Sequence, residues 1–218
     1  MRSLFDFFRK KEDEELECPV FNPLALNFNN IIELTSSNHI GKEWKIVGIE
    51  EYKRELENKI FLFADYFLVN IANKTDQIKL RSYDNEDLVI LLSKFDSRGY
   101  NPDLHSVLKD TDQSGTFKIT DDNNEEVEFF RLNNVKNPWN ACVTKISDID
   151  GNRKFTKDDP VEKTQIEYWD FWRATQIPGL PIIGHTQTEY FFCEMDLNTG
   201  WFTFWRGFDT DPQLILII

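Results

Sequence analysis

The sequence predicts a mainly β protein, or an α+β protein with few helices, built from antiparallel meanders and hairpins. Aromatic residues make up 14% of the 218 residues, with 19 Phe and 6 Trp, and such residues favour strands and bury large areas. Short runs of β-branched and aromatic residues recur along the chain. Turn-forming clusters separate these runs around Asp84, Asp122, Asp148 and Asn198.

Strand patterns dominate the first half of the chain, and one helical pattern follows them. The strand candidates are residues 43–52, 59–73, 76–83 and 88–95. Residues 101–110 then predict one short helix. The chain next predicts a hairpin over 115–132, with its polar turn at 122–124, and a strand over 141–147.

The clearest hairpin lies near the end of the chain. Its strands cover 188–196 and 201–209, and Asn198 and Gly200 supply the turn conformations between them. Residues 164–175, just before it, fit a helix or a strand, and we favour a strand because β-formers dominate. The terminal "LILII" predicts an edge strand or a buried tail.

We predict that residues 1–22 form a peripheral segment and that residues 23–218 form a β-rich globular domain. The alternative is two subdomains that divide near residues 99–103. The N-terminal segment begins with an apolar group, which three basic residues and then an acidic run follow. The apolar residues are Leu4, Phe5, Phe7 and Phe8. A short amphipathic helix of this kind would contact a partner groove or a membrane surface. The acidic run favours a docked or frayed terminal segment over a lipid-bound one.

Charge and cysteine content restrict the class of protein. The net charge is −13 and the pI is near 4.7, without the clustered Lys and Arg that nucleic-acid binding requires. The three cysteines are far apart and form no CxxC, which favours a reducing compartment. With no secretory signal and no run of about 18 apolar residues, we expect a cytoplasmic protein without a transmembrane segment.

The stretch "DTDQSGTFKITD" has nearly the ligand spacing of an EF-hand calcium loop. Asp110, Asp112, Ser114 and Asp121 occupy its ligand positions 1, 3, 5 and 12. Position 12 lacks the bidentate Glu, and the preceding positions at which an EF-hand helix is apolar carry no good core residue. An acidic turn is therefore the favoured interpretation, with a weak cation site as the alternative. We predict no metal centre and no cofactor.

Glu167 and Asp170 are the weak catalytic candidates. They lie among aromatic residues, and glycosidases use two carboxylates flanking a sugar. The alternative, which we favour, is a charged edge on an aromatic core strand. Near the C-terminus, Trp201 and Trp205 alternate with Phe202 and Phe204, so both faces of that strand are aromatic, and we expect a core strand more readily than a ligand platform.

Two stretches, "LFDFFRKK" and "PLALNFNNIIEL", followed by a β-rich body, resemble the YjfK-like group of bacterial cytosolic proteins. This resemblance rests on residues 4–34. It implies a bacterial cytosolic protein, an accessory of membrane-associated stress machinery, and it supplies no catalytic residues.

The sequence carries no catalytic motif, so the first functional hypothesis is a non-enzymatic protein that binds a protein partner, basic or membrane-associated. A second hypothesis is an acidic inhibitor or immunity protein that covers a basic toxin such as a nuclease, because a charge of −13 would steer that association. A third is an enzyme acting on a carbohydrate or another small substrate through Glu167 and Asp170.

Overall fold

The structure is a computed structural model, and it describes residues 23–35, 39, 41–56, 59–83, 88–121, 124–132, 139–147, 161–176 and 186–218. Twelve strands and one α-helix lie within these residues. The strands are β1 (Ile31–Leu34), β2 (Glu43–Leu56), β3 (Lys59–Asn70), β4 (Gln77–Tyr83), β5 (Val89–Arg98), β6 (Thr116–Thr120), β7 (Glu126–Arg131), β8 (Trp139–Ser147), β9 (Val161–Gln176), β10 (Thr186–Asp196), β11 (Phe202–Thr210) and β12 (Ile215–Ile217). Helix α1 (Pro102–Ser114) follows β5, and a short 3-10 helix (Pro212–Leu214) precedes β12.

Eight of the strands close into an antiparallel barrel made of two four-stranded meanders. Strands β2 to β5 form the first meander and β8 to β11 the second. The first strands of the two meanders pair with each other, β2 with β8, and so do the last strands, β5 with β11. The predicted antiparallel, mainly β fold is confirmed. A barrel of eight strands has an interior that side chains fill or that holds one small ligand.

Two long strands take part in the barrel over only part of their length. Strand β2 pairs with β1 over residues 43–45 and with β8 over residues 48–53, and a bulge between Ile46 and Gly48 separates the two parts. Strand β9 pairs with β8 over residues 161–168 and with β7 at Phe171 and Trp172. The strand pairs β1–β12 and β6–β7 therefore extend the sheet beyond the barrel. Residues 99–103 cover the connection from β5 to α1 and the first two residues of α1, and strands from both sides of them close the same barrel.

Side-chain alternation gives the barrel wall two faces, and both are largely covered. One outer apolar cluster packs Trp44, Tyr66 and Leu80 against β1 and the preceding residues 24–28. A second outer cluster packs Trp169 and Phe191 against the β6–β7 hairpin and α1. Charged residues of these strands lie on both faces: the buried Glu189 shares the outer face with Phe191, and Asp65, Lys79 and Arg81 lie on the inner face, opposite Tyr66 and Leu80.

Helix α1 begins and ends at residues suited to those positions. The Asn101 side chain accepts hydrogen bonds from the backbone N–H groups of Asp103 and Leu104, and Gly115 ends the helix with φ 70°. The helix runs four residues beyond the predicted 101–110, because Gly115 is the first residue that favours the left-handed conformation. The first half of the EF-hand-like stretch is thus helical and not a turn.

The C-terminal hairpin and the assignment of residues 164–175 to a strand are confirmed as β10–β11 and β9. The terminal residues form β12, an outer strand that pairs with β1. Close packing of β11 on β5 depends on Gly207, because a Cβ there would overlap the carbonyl oxygen of Leu91. The seam that joins the two meanders therefore needs glycine at this position.

Candidate functional site

A fully buried charge cluster lies inside the barrel. Asp65 on β3 lies directly opposite Arg81 on β4, and Lys79 is two residues earlier on the same face of β4. Lys79 Nζ donates to Asp65 Oδ2 at 2.6 Å, and Arg81 donates to both carboxylate oxygens, Nε to Oδ1 at 2.7 Å and Nη2 to Oδ2 at 2.6 Å. Burial opposes ionisation of Asp65, but Arg81 and Lys79 outweigh it and lower its pKa.

A second carboxylate reaches the cluster from the opposite wall of the barrel. Glu194 Oε1 on β10 accepts from Lys79 Nζ at 3.0 Å and from Arg81 Nη2 at 2.9 Å. Arg81 Nη1 also donates to the hydroxyl of Tyr168 on β9. Two cations thus face two carboxylates, so these four charges cancel. The cluster joins both meanders through ion pairs across the interior.

Aromatic rings enclose the two buried cations. The centroid of the Trp205 ring lies 4.0 Å from Lys79 Nζ, and those of Phe67 and Tyr52 lie at 5.7 and 6.0 Å. Arg81 has the Phe63 ring centroid 4.3 Å from its Cζ. Rings at such distances attract a cation through their quadrupoles, which partly replaces the hydration that burial removes.

The interior is not filled at one end of the barrel. A cavity of about 340 Å³ opens there beside the β10–β11 turn. Trp201 stands at its rim, 50% exposed, with its indole Nε1 donating to Ser97 Oγ at 2.6 Å. Trp205 lies deeper in the wall, only 7% exposed, and its indole N–H has no hydrogen-bond partner among the described residues. Buried donors of this kind normally have a partner.

Glu50 on β2 projects into the same cavity. The Tyr52 hydroxyl lies 2.9 Å from Glu50 Oε2 and 3.3 Å from Glu194 Oε2, and it has one proton to donate. Lys145 Nζ is 3.9 Å from Glu50 Oε1. Burial, followed by repulsion from Glu194, raises the pKa of Glu50 to about 7, although 18% of its side chain is exposed. The cavity therefore holds a carboxyl group that changes charge near neutral pH.

The structure separates the two carboxylates chosen from the sequence. Glu167 and Asp170 are three residues apart on β9, so they point to opposite faces of the strand. Glu167 Oε2 lies on the outer face, 2.8 Å from Nε2 of His105 on α1. Asp170 is buried and acts electrostatically on Tyr83, which packs against the apolar residues of the barrel interior. The two side chains are therefore not placed to flank one substrate.

The other predicted site residues are dispersed as well. Asp110, Asp112 and Ser114 lie in the last turns of α1, and Asp121 follows β6, where its Oδ1 accepts the Glu125 N–H at 3.0 Å. In the part of the chain that the structure describes, no three His, Cys, Asp or Glu residues are grouped to hold a metal ion. The apolar group Leu4, Phe5, Phe7 and Phe8 lies outside the described residues.

The side chains at the start of β11 alternate between the inner and outer faces of the barrel wall, as the sequence predicts. Trp201, Thr203 and Trp205 line the cavity, and Phe202 and Phe204 pack in the outer cluster near α1. The sequence reasoning missed the interior residues Asp65, Lys79, Arg81, Glu194 and Glu50. A signal was present, because Asp65 is the one charge inside the apolar run "IFLFADYFLVNIA", and a charge buried in a central strand needs a partner.

Comparisons of the chain with protein-family models, with curated protein sequences and with solved structures find no match. The resemblance to the YjfK-like group stays a prediction. Within the described ranges, no helix has the length and apolar character needed to cross a lipid bilayer.

Proposed function

We propose that this protein is a non-enzymatic binding protein that takes up a small molecule in the open end of its barrel. One observation carries the proposal: a cavity of about 340 Å³ is lined in part by Trp205, whose buried indole N–H has no partner among the described residues. Ligand sites are commonly clefts of about 300–1,000 Å³, and the volume of this cavity falls in that range. A bound molecule that accepts a hydrogen bond would satisfy this donor.

The charge cluster supports the proposal by making the floor of the site rigid. Lys79 and Arg81 are held by ion pairs to Asp65 and Glu194, which come from opposite walls. A floor with paired charges keeps its shape when a ligand enters, so little conformational entropy is lost on binding.

The test compares two variants of the full chain. Thr203→Trp places a large ring in the cavity, and Thr120→Trp places the same ring on the exposed face of β6. We expect wild type and Thr120→Trp to retain one or a few compounds from the small-molecule fraction of the source cells during equilibrium dialysis, as detected by mass spectrometry. Thr203→Trp should lose them. Equal retention by all three proteins, or retention by none, contradicts the proposal.

A second candidate function is acid–base catalysis on a small substrate such as a glycoside. It is favoured by one observation: the pKa of Glu50 is raised to about 7, and the neighbouring Glu194 is paired with two cations. Carboxyl groups with such different surroundings divide the acid and base roles in glycosidases. Hydrolysis of aryl glycosides by wild type, lost in Glu50→Gln and kept in Glu167→Gln, would support it. No turnover by wild type would reject it.

The acidic surface supports a further proposal, a basic protein partner. With a charge of −13, association with a cationic protein, including a toxin, would be fast and sensitive to salt. A pull-down at low and high salt tests this. A basic partner lost at high salt supports it, and a membrane-associated partner retained at high salt supports the accessory role instead.

A further inference from the structure

Glu50 has a longer ion pair than Asp65 and Glu194, the two carboxylates of the buried cluster. Asp65 and Glu194 share Lys79 and Arg81 at 2.6–3.0 Å, whereas the nearest cation to Glu50, Lys145, is 3.9 Å away on a side chain that is 31% exposed. Of these three carboxylates, Glu50 is therefore the one that its cation holds most loosely.

The groups around Glu50 come from five strands. Tyr52 is on β2 itself, and the charged neighbours are Asp65 on β3, Lys79 on β4, Lys145 on β8 and Glu194 on β10. Asp196 and Lys94 also line the cavity. Because Glu194 is already paired with Lys79 and Arg81, ionised Glu50 and Asp196 balance Lys94 and Lys145 on the lining, and displacing Lys145 from Glu50 would leave one negative charge there.

The walls of the cavity already bind an ammonium group. Lys79 Nζ lies within 6.0 Å of the ring centroids of Tyr52, Phe67 and Trp205, and all three residues also line the cavity. Trp201 adds a fourth aromatic residue at the rim. Aromatic walls next to a carboxylate are the surroundings in which proteins hold organic cations.

We propose that the ligand of the barrel is an organic amine whose ammonium group pairs with Glu50 and whose flat body lies between the aromatic walls, with an acceptor atom for the Trp205 indole N–H. This inference rests on the proposed binding function and names its ligand class. The ammonium takes the place of the loosely held Lys145. The overall charge of −13 raises the concentration of such cations near the protein.

Binding of an amine should release a proton. Near pH 6, Glu50 is mostly protonated because its pKa is about 7, and an adjacent ammonium favours the ionised form. Affinity should therefore rise about tenfold between pH 6 and pH 8, since the ionised fraction of a group with pKa 7 rises by about that factor.

Titration calorimetry of the full chain tests the inference with three matched probes: tyramine, the neutral tyrosol and the anionic 3-(4-hydroxyphenyl)propionate. Measurements at pH 6 and pH 8, in buffers of different ionisation enthalpy, give affinity and proton exchange. We expect tyramine to bind most tightly, to release close to one proton at pH 6 and to bind about tenfold more tightly at pH 8.

Two variants complete the test. Glu50→Gln should lose the proton release and the pH dependence, and Glu128→Gln, an exposed change on β7, should keep both. The amine assignment is overturned if tyrosol or the propionate binds as tightly as tyramine, if no proton is released, or if no probe binds. The amine assignment is also overturned if wild type retains compounds without a basic nitrogen and Thr203→Trp loses them. The proposed binding function would still stand in that case.

Discussion

Replacing Asp65 with Asn removes one charge from the buried cluster and keeps its volume. Asp65 accepts three hydrogen bonds, one from Lys79 and two from Arg81, at 2.6–2.7 Å. Asparagine has one acceptor oxygen, and its amide N–H₂ would face a cation. Charge-assisted hydrogen bonds contribute roughly 1.5–3 kcal/mol each, and breaking a buried pair costs roughly 3–5 kcal/mol. We expect the free energy of unfolding to fall by about 4 kcal/mol.

Urea unfolding followed by Trp fluorescence measures this loss at pH 7. The matched control is Asp110→Asn, an exposed change in α1 that should alter the free energy of unfolding by about 0.5 kcal/mol at most. Because the folded pKa of Asp65 is lowered, its contribution is complete above the unfolded pKa and is lost as the pH falls through the folded value. The difference between wild type and Asp65→Asn should therefore shrink below about pH 4.

A second variant separates charge imbalance from packing. Adding Lys79→Met to Asp65→Asn leaves Arg81 and Glu194 as a balanced pair and removes a cation that has lost one of its two carboxylates, so the double variant should be more stable than Asp65→Asn alone. A loss below about 1 kcal/mol in Asp65→Asn, or a loss that grows in acid, would refute the view that the interior charges are mutually dependent.

Five further substitutions have expected outcomes in the same unfolding assay. Gly207→Ala should destabilise by roughly 2–4 kcal/mol, whereas Gly48→Ala, where a Cβ meets only ordinary contacts, should change stability by about 1 kcal/mol or less. Asn101→Ala should cost about 1 kcal/mol through the lost helix cap. Glu50→Gln should stabilise the protein at pH 8 by about 3 kcal/mol and change it little near pH 4, because a pKa raised from 4.5 to about 7 costs stability as the pH rises through that range. Glu167→Gln should weaken the attachment of α1 by about 1 kcal/mol and leave tyramine binding unchanged, since Glu167 is on the outer face.

Most individual strands followed from local pattern, but β1 (Ile31–Leu34) and the barrel were not predicted. Turn residues and alternating aromatic residues predict the hairpin β10–β11, and the prevalence of β-formers predicts a strand over residues 164–175. Closure of the barrel depends on the strand pairs β2–β8 and β5–β11, which join residues far apart in sequence. No periodicity specifies which distant strands pair, because pairing is decided by packing of the whole chain.

The residues of the buried site could not be predicted from the sequence for a related reason. Glu167 and Asp170 attracted attention because they are close in sequence, but a spacing of three in a strand places them on opposite faces. Glu50, Asp65 and Glu194 are far apart in the chain and meet only inside the closed barrel. A lone charge in an apolar strand signals that a partner exists, and it does not identify that partner.

The most direct measurement is the ¹H–¹⁵N spectrum of the indole N–H groups of the full chain, with and without the small-molecule fraction that wild type retains. Trp→Phe variants assign the peaks. We predict that the peak of Trp205 moves most and that of Trp201 also moves, because both line the cavity. The N–H groups of Trp44 and Trp169 are also buried and have no partner in the described part of the chain, but they lie in the outer clusters, so their peaks should stay in place. Movement of Trp44 or Trp169 with Trp205 unchanged would place the ligand elsewhere and contradict a binding site inside the barrel.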